Sequence, residues 1–372
     1  MTLTLRNVTK QVAGETHLAD ISTELHPGGF YILLGPTLAG KTSLMRLMAG
    51  LDRPTEGQIE MDGRDVTKTP VRKRNVAMVY QQFINYPSFT VYDNIASPLR
   101  RSGMAAGEVD TKVREAAETL KMSHLLDRLP GELSGGQQQR TALARAMVKD
   151  SELLLLDEPL VNLDYKLREE LRVELREIFA RRSAIVVYAT TEPEEALIMG
   201  GNTMVLHEGR VLQQGPTTEV FRHPASMQVG RSFSDPPMNY ALGDVRQDNN
   251  GNREAVLAGD VRLPLQGHLA RLTPGRYHFG ARASHLYAQR NREDDLSFKA
   301  SVTLSEISGS ETFIHVDFGE DHDWVCQEEG VHRFELGQQI DVFVNPRDVY
   351  AFDTDGWLVA SPVRDKTRQA AQ

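Results

Sequence analysis

Nine residues, GPTLAGKTS from Gly35 to Ser43, narrow what this chain can fold into more than any other stretch. They satisfy the spacing G-x-x-x-x-G-K-[ST]. They also lie between GFYILLG (29–35), an apolar run of strand length, and KTSLMRLMAGL (41–51), whose apolar residues recur at helical spacing. A glycine-rich turn between strand and helix lets backbone N–H groups close around phosphates, and the helix adds the positive end of its dipole. Lys41 can then reach the β- and γ-phosphates of a nucleoside triphosphate, and Thr42 can coordinate Mg2+. Gly35, Pro36, Thr37, Leu38, Ala39, Gly40, Lys41, Thr42 and Ser43 are accordingly the expected ATP-binding residues.

A phosphate loop of this kind needs an acidic strand, and LLLLDEP (153–159) supplies one. Asp157 at its end is placed to join Thr42 in the Mg2+ shell, and Glu158 to orient or deprotonate the attacking water. Two acids after a buried strand would otherwise read as the cap of the next helix. Further on, AIVVYAT (184–190) reads as another buried strand, and DYKLREELRVELREIFARR (164–182) as the helix between them. Strands apolar throughout and separated by helices imply a parallel sheet covered on both faces. The Glu and Arg residues at helical spacing in that helix read as a solvated face.

The texture changes after Pro236-Pro237, which disfavour helix and mark a boundary. From about Ala241 come short alternating stretches, EAVLAGDVRLPL, GRYHFGARA, KASVTLSEIS, TFIHVDFG and QQIDVFVN, punctuated by Gly, Asp, Asn and Pro. They predict a small β-barrel or β-sandwich. With 372 residues, enough for two cores, the expected division is 1–235 and 236–372, with a helical subdomain at about 88–150. A net charge of −9 argues against general nucleic-acid binding. The single cysteine, Cys326, cannot form an internal disulfide and favours a reducing compartment. MTLTLRNVTK lacks the apolar core of a signal peptide, and no run approaches the length of a spanning helix. The tail RDKTRQAAQ reads as a frayed end.

LSGGQQQR decides among P-loop proteins. Its Ser-Gly-Gly opens a helix with small residues that expose N–H groups to an anion, which by itself is only a good cap. Lying between the phosphate loop and LLLLDEP, the run Leu133, Ser134, Gly135, Gly136 and Gln137 resembles the signature of ATP-binding-cassette proteins. The resemblance implies that two cassettes meet head to tail, each signature closing on the ATP held by the other's phosphate loop. Gln81 in VYQQFINYP resembles the glutamine that touches the metal and senses a membrane partner, making Thr42, Gln81 and Asp157 the metal set. Asn162, Leu163 and Asp164 in LVNLD resemble the loop that crosses the dimer interface. GARASHL, LSEISGSETFIHV and VNPRDVYAFD resemble the small β-barrel domain of importer ATPases for sugars and polyols.

The implied fold is therefore an α/β P-loop cassette domain with a helical signature subdomain, followed by a small C-terminal OB-like regulatory β-barrel. The implied activity is ATP hydrolysis coupled to transport, with ATP and Mg2+. The implied partners are a second cassette ATPase, two transmembrane permease subunits and, indirectly, a periplasmic substrate-binding protein, with no nucleic acid. The implied location is peripheral, on the cytoplasmic face of a bacterial inner membrane. QFINYPSFTVYDNIASPL, aromatic and apolar, fits a docking surface for a permease and equally a subdomain core.

Three positions depart from the family pattern, all at this chain's own nucleotide site. Thr191 stands where a histidine contacts the γ-phosphate, and a hydroxyl is too short to span that gap. It is the third expected catalytic position beside Glu158 and Gln81. Leu38 stands where glycine is usual, a costlier choice if the backbone there needs φ > 0. Val12 stands where an aromatic stacks on adenine, with Tyr31 and His17 as possible substitutes. LSGGQQQR, which serves the opposite site, is untouched. The asymmetry predicts a heterodimer in which a different cassette does most of the hydrolysis. GPTLAGKT, YQQFINYP and YATTEPEEAL together resemble one of the paired ATPases of bacterial glycerol importers. Two competing readings are a regulatory subunit with little hydrolysis and a non-transport cassette ATPase. Arg282 and His285 in GARASHL read as ordinary loop and strand-end residues, with binding of a regulator as the alternative. His207 and His315 read as structural or exposed, and NREDD and GEDHDW lack the spacing of a calcium loop.

Overall fold

The computed structural model describes residues 1–180, 182–247, 251, 253–319 and 323–362. The tail and part of GEDHDW lie outside the described residues. The chain divides into two compact units, Met1–Thr217 and Thr218–Gln372. That division falls ahead of the Pro236-Pro237 pair on which the sequence placed a boundary.

The first unit runs β1 (Leu3–Val12), β2 (Glu15–Leu25), β3 (Phe30–Leu34), α1 (Lys41–Ala49), β4 (Glu56–Met61), β5 (Arg64–Asp65) and β6 (Val76–Val79). It continues with α2 (Val91–Arg101), α3 (Ala106–Thr119), α4 (Gly135–Met147), β7 (Leu153–Asp157), α5 (Tyr165–Ala180), β8 (Ile185–Thr190), α6 (Pro193–Met199), β9 (Asn202–His207) and β10 (Arg210–Pro216). One sheet has the order β10-β9-β3-β8-β7-β6, its strands parallel except at the β10 edge. A second, antiparallel sheet has the order β2-β1-β4-β5. The apolar runs behave as their composition requires. Leu153 to Leu156 are each fully enclosed, and each contributes about 1.5–3 kcal/mol, an upper bound because unfolded chains already bury some surface. Leu44, Met45, Leu47 and Met48 of α1 share one core with Leu3, Leu5, Ile21 and Ile59 of the antiparallel sheet and with Leu33, Leu155 and Val187 of the other. The phosphate-loop helix is thereby fixed from both sides.

Among α2, α3 and α4, the first is capped by the Thr90 hydroxyl, which accepts from the Asp93 N–H, and α2 packs chiefly on α4. Fully buried Asn94 of α2 accepts from the Tyr86 N–H at 2.8 Å and donates to the carbonyls of Tyr86, Phe89 and Thr90. One amide side chain thus organises the loop that carries Ile84, Tyr86 and Phe89.

The second unit contains α7 (Thr217–Arg222), α8 (Met227–Ser232), β11 (Asn239–Gln247), β12 (Arg253–Leu257), β13 (Arg262–Pro264), β14 (Gly275–Ala281) and β15 (Leu286–Tyr287). The rest is β16 (Leu296–Ser308), β17 (Glu311–Asp317), β18 (Asp323–Glu329), β19 (Gln339–Val344), β20 (Tyr350–Phe352) and β21 (Leu358–Ala360). Sheets β13-β12-β11-β14-β20-β21 and β15-β19-β16-β17-β18 enclose one apolar core, as a barrel of this size requires. EAVLAGDVRLPL is two strands, because Gly259 (φ 65) breaks it. Phe298, Phe318 and Trp324 meet edge-on at 4.9–5.8 Å between centroids, and Cys326 beside them on β18 is fully buried. Burial pushes its thiol far above the ordinary range.

Arg282, in the loop directly after β14, is committed to the fold and not free for a regulator. Its buried guanidinium donates to the carbonyls of Phe233 (2.9 Å) and Phe221 (2.6 Å) and to the Ser234 hydroxyl, and it lies 3.8 Å over the Phe221 ring. It fastens α7 and the end of α8 to the sheets.

Among the described residues, no helix is long and apolar enough to cross a membrane.

Candidate functional site

Parallel pairing brings the motifs to one edge. In register, Leu34 of β3 faces Thr190 of β8, Asp157 of β7 faces Ala189, and Val79 of β6 faces Leu156. The loops that follow these strands carry Gly35–Gly40, Glu158, Gln81 and Thr191, all beyond the carboxyl ends, where open α/β sheets bind ligands.

Gly40 ends the phosphate loop at φ 102, with its Cα so close to the Leu18 side chain that an added Cβ would lie 2.8 Å from Cδ2. The first turn of α1 has no side-chain cap and no acidic residue, so its N–H groups are left for an anion. Gly35 and Ala39 are buried while Pro36, Thr37 and Leu38 are exposed, and Ser43 is half-buried. Lys41 is 5% exposed, its ammonium donating to the carbonyls of Gly35 (2.7 Å) and Pro36 (3.1 Å) and lying 3.5 Å from a Glu158 oxygen. Burial lowers its pKa, and the Glu158 carboxylate opposes that shift.

The Thr42 hydroxyl donates to Asp157 at 2.7 Å. Burial raises the Asp157 pKa, Thr42 counters this and the Glu158 charge adds to it. Gln81 Nε2 donates to the second Glu158 oxygen at 3.0 Å. An alcohol, two carboxylates and a carboxamide converging beside a phosphate cradle are oxygen donors of the kind Mg2+ takes, so the residues fit a magnesium nucleotide. With one carboxylate oxygen beside Lys41 and the other on Gln81, Glu158 is held at the mouth of the loop.

Thr191 is exposed directly after β8, between two anchored neighbours. The Thr190 hydroxyl donates to the buried Glu195 carboxylate, which also accepts from Tyr188 Oη at 2.7 Å. Glu192 is gripped by Arg168 (2.7 Å) and Arg172 (2.9 Å) of α5. Arg168 also donates to the carbonyls of Val161 (3.2 Å) and Leu163 (3.5 Å). This face of α5 is therefore not the solvated face expected from its charge pattern, since Arg172 is buried and the pair ties the 160–164 loop to the end of β8.

Leu38 has φ 68 and is 95% exposed, so the left-handed backbone costs about 1–2 kcal/mol with no packing in return. Val12, 44% exposed, stands at the tip of the β1–β2 hairpin. Tyr31 does not substitute for an aromatic there. It belongs to the core, its hydroxyl accepting from the His26 N–H at 2.8 Å, while His17 is exposed on β2.

The signature forms a separate surface. Ser134 caps α4, its hydroxyl accepting from the Gln137 N–H while Gln137 Oε1 accepts from the Ser134 N–H at 3.0 Å. A Cβ on Gly136 would lie 3.0 Å from the Leu163 side chain and 3.2 Å from the Asn162 carbonyl, so a larger residue would push the two segments apart by a few tenths of an ångström. Ser134, Gly135, Gly136, Asn162, Leu163 and Asp164 line one shallow cleft, and Leu133 is buried beneath the helix start. Sequence reasoning missed Gln139, a polar residue on the buried face of α4 whose Nε2 donates to the Glu158 carbonyl at 3.2 Å. Its signal was there: polar at a position where Ala142, Leu143 and Ala146 set an apolar stripe.

The ABC transporter family model matches residues 18–161, and the TOBE domain model residues 279–352. The trehalose/maltose import ATP-binding protein MalK of Thermococcus litoralis is 36% identical, over 92% of this chain and 95% of its own length. The sn-glycerol-3-phosphate import ATP-binding protein UgpC 3 of Rhizobium etli is 34% identical, over 94% and 96%. The UgpC protein of Cupriavidus pinatubonensis is 35% identical, over 94% and 97%. Among solved structures, the ATP-binding cassette MJ0796, a dimer in a post-hydrolysis state bound to ADP and Pi, superposes with a TM-score of 0.53 at 27% identity, covering 58% of this chain and 98% of that one.

Proposed function

Since this chain belongs to the ABC transporter ATP-binding subunits of the sugar and glycerol-3-phosphate importer family, whose ATP hydrolysis is coupled to transport, we propose that it drives uptake of a small polyol, glycerol, as one half of an unequal ATPase pair. The observation that carries the inequality is Thr191, exposed and short at the mouth of a site whose Lys41, Asp157, Glu158 and Gln81 are otherwise in place. Leu38 and Val12 weaken the same site, whereas the capped signature helix that would serve the opposite one is intact. Likeness to relatives named for trehalose/maltose and sn-glycerol-3-phosphate import supports a small carbohydrate or polyol as cargo. Glycerol itself rests on the likeness of GPTLAGKT, YQQFINYP and YATTEPEEAL to glycerol-importer ATPases.

Residues 35–43 cradle the triphosphate and Lys41 moves from its loop carbonyls onto the β- and γ-oxygens, which frees one Glu158 oxygen. Mg2+, held through Thr42, Asp157 and Gln81, would neutralise charge between those phosphates. Glu158 then takes a proton from the attacking water. Thr191 supplies no charged donor to the γ-phosphate, so the step is slow here and the partner's site carries most turnover. The exposed Ile84, Tyr86 and Phe89 support a surface for docking on a permease, and with it a peripheral position on the cytoplasmic side of the inner membrane. A substrate-binding protein feeds that permease from outside.

The test is the native mass of the complex extracted gently from its own membrane, together with uptake of labelled glycerol by cells lacking this chain. One copy beside a different cassette ATPase, and lost glycerol uptake, are the expected results. Two copies and no other cassette would overturn the unequal pair, and unaffected glycerol uptake would overturn the cargo.

A further inference from the structure

We infer that Gln139 is a positioning residue for hydrolysis, tying this chain's signature helix to its own Glu158. The inference rests on the reading of Glu158 as the base. Gln139 is 0% exposed on the inner face of α4. Its Nε2 donates to the Glu158 carbonyl at 3.2 Å, and its Oε1 is buried without a hydrogen-bond partner. Enclosing a carboxamide that makes one of its four possible hydrogen bonds is a costly way to fill a core, and a leucine would do it better. The one bond that it does make falls on a peptide that needs holding.

Glu158 has φ 47, a left-handed conformation that non-glycine residues rarely adopt. Three contacts keep it there: its N–H donates to the Ala189 carbonyl at 3.1 Å, and its carbonyl accepts from Gln139 Nε2 at 3.2 Å and from the Val161 N–H at 3.4 Å. The direction in which the side chain leaves β7 follows from that backbone, and this direction brings its two oxygens to Gln81 and Lys41. On the other side of α4, Asn85 Nδ2 donates to the Gln138 carbonyl at 2.8 Å. The first turns of the signature helix are thus joined both to the loop of Gln81 and to the peptide of Glu158. A shift of α4 as Ser134 and Gly136 close on an opposing nucleotide therefore reaches the base through Gln139. Signature engagement on one nucleotide sets the readiness of the carboxylate for the other.

The experiment uses the full-length chain in its native complex. It measures steady-state ATP hydrolysis at several pH values, with the partner cassette's hydrolytic site disabled so that turnover reports this chain's own site, and binding of the fluorescent probe TNP-ATP, for wild type, Gln139→Leu, Gln139→Glu and Glu158→Gln. Gln139→Leu is expected to lower kcat by about tenfold, the scale of one lost hydrogen bond, while KM and TNP-ATP affinity stay within about twofold. In Gln139→Glu the introduced carboxyl donates to the Glu158 carbonyl when protonated and repels it when ionised, so activity relative to wild type falls as pH rises. Asp157 of β7, Glu158 directly after it and Lys41 of α1 are the same in both proteins, so the ratio isolates the introduced group. A merely structural defect lowers activity by the same factor at every pH and shifts KM with it. Unchanged kcat in Gln139→Leu, or a pH-independent deficit in Gln139→Glu, overturns the inference while a dead Glu158→Gln preserves the base. Wild-type turnover in Glu158→Gln removes the base itself and the inference with it.

Discussion

Introducing a histidine at position 191 is the most direct probe of the proposal that this site is weak. The Thr191 side chain is exposed, so an imidazole there displaces no packing. Its flanks are already fixed, by the Thr190 hydroxyl on Glu195 and by the two arginines on Glu192, so the backbone need not be ordered anew. One donor aimed at developing charge is worth about 2.7–4 kcal/mol, or roughly 10²–10³ in rate. An imidazole without evolved support recovers only part of that, and half of the lower figure, about 1.4 kcal/mol, is already tenfold. Thr191→His is therefore expected to raise single-turnover hydrolysis at this site at least about tenfold. The assay holds the complex in excess over ATP, with occupancy matched by direct binding measurement. A rate equal to wild type at equal occupancy would refute the missing-donor argument and move the limit to Leu38 or Val12.

Val12→Trp places an indole at the tip of the β1–β2 hairpin, where stacking on a base is worth about 1–3 kcal/mol, so the Kd for ATP should tighten by roughly fivefold to a hundredfold. Equilibrium binding checks this, and an unchanged Kd would show that adenine does not lie on that hairpin. Arg282→Met removes the buried donor to the Phe221 and Phe233 carbonyls and is expected to cost about 3–5 kcal/mol in the second unit. Calorimetry of the full chain should show that unit melting about 10 °C lower, and a shift of a degree or two would mean that methionine fills the site as well as arginine.

What could be read from the sequence was local. GPTLAGKTS, LLLLDEP and LSGGQQQR each encode their geometry within one strand, turn or helix start, and the structure brings Thr42 to Asp157 and Lys41 to Glu158 within bonding distance. What could not be read depends on partners distant in the chain. Arg168 and Arg172 sit in a Glu/Arg pattern indistinguishable from a wet helix face until Glu192 is seen between them. Gln139 looks like one more glutamine in QQQR, and its partner is a backbone carbonyl that no sequence pattern reports. Tyr31 offered the right ring for adenine but belongs to a strand with sheet on both sides, so it is spent on the core. In the second unit, β18 escaped notice because DWVCQEE carries acids on its outer face while Trp324 and Cys326 alone mark the inner one.

Cys326 has a practical corollary. It is the chain's sole cysteine, sealed between two sheets with its thiol held in the unreactive protonated form. A maleimide dye added to the folded protein therefore finds nothing to label. A cysteine introduced at exposed Leu38, on the crown of the phosphate loop, would be the sole address for a fluorophore or spin label without prior removal of the native thiol. Opening and closing at this nucleotide site can then be watched as an optical signal from a protein otherwise unaltered.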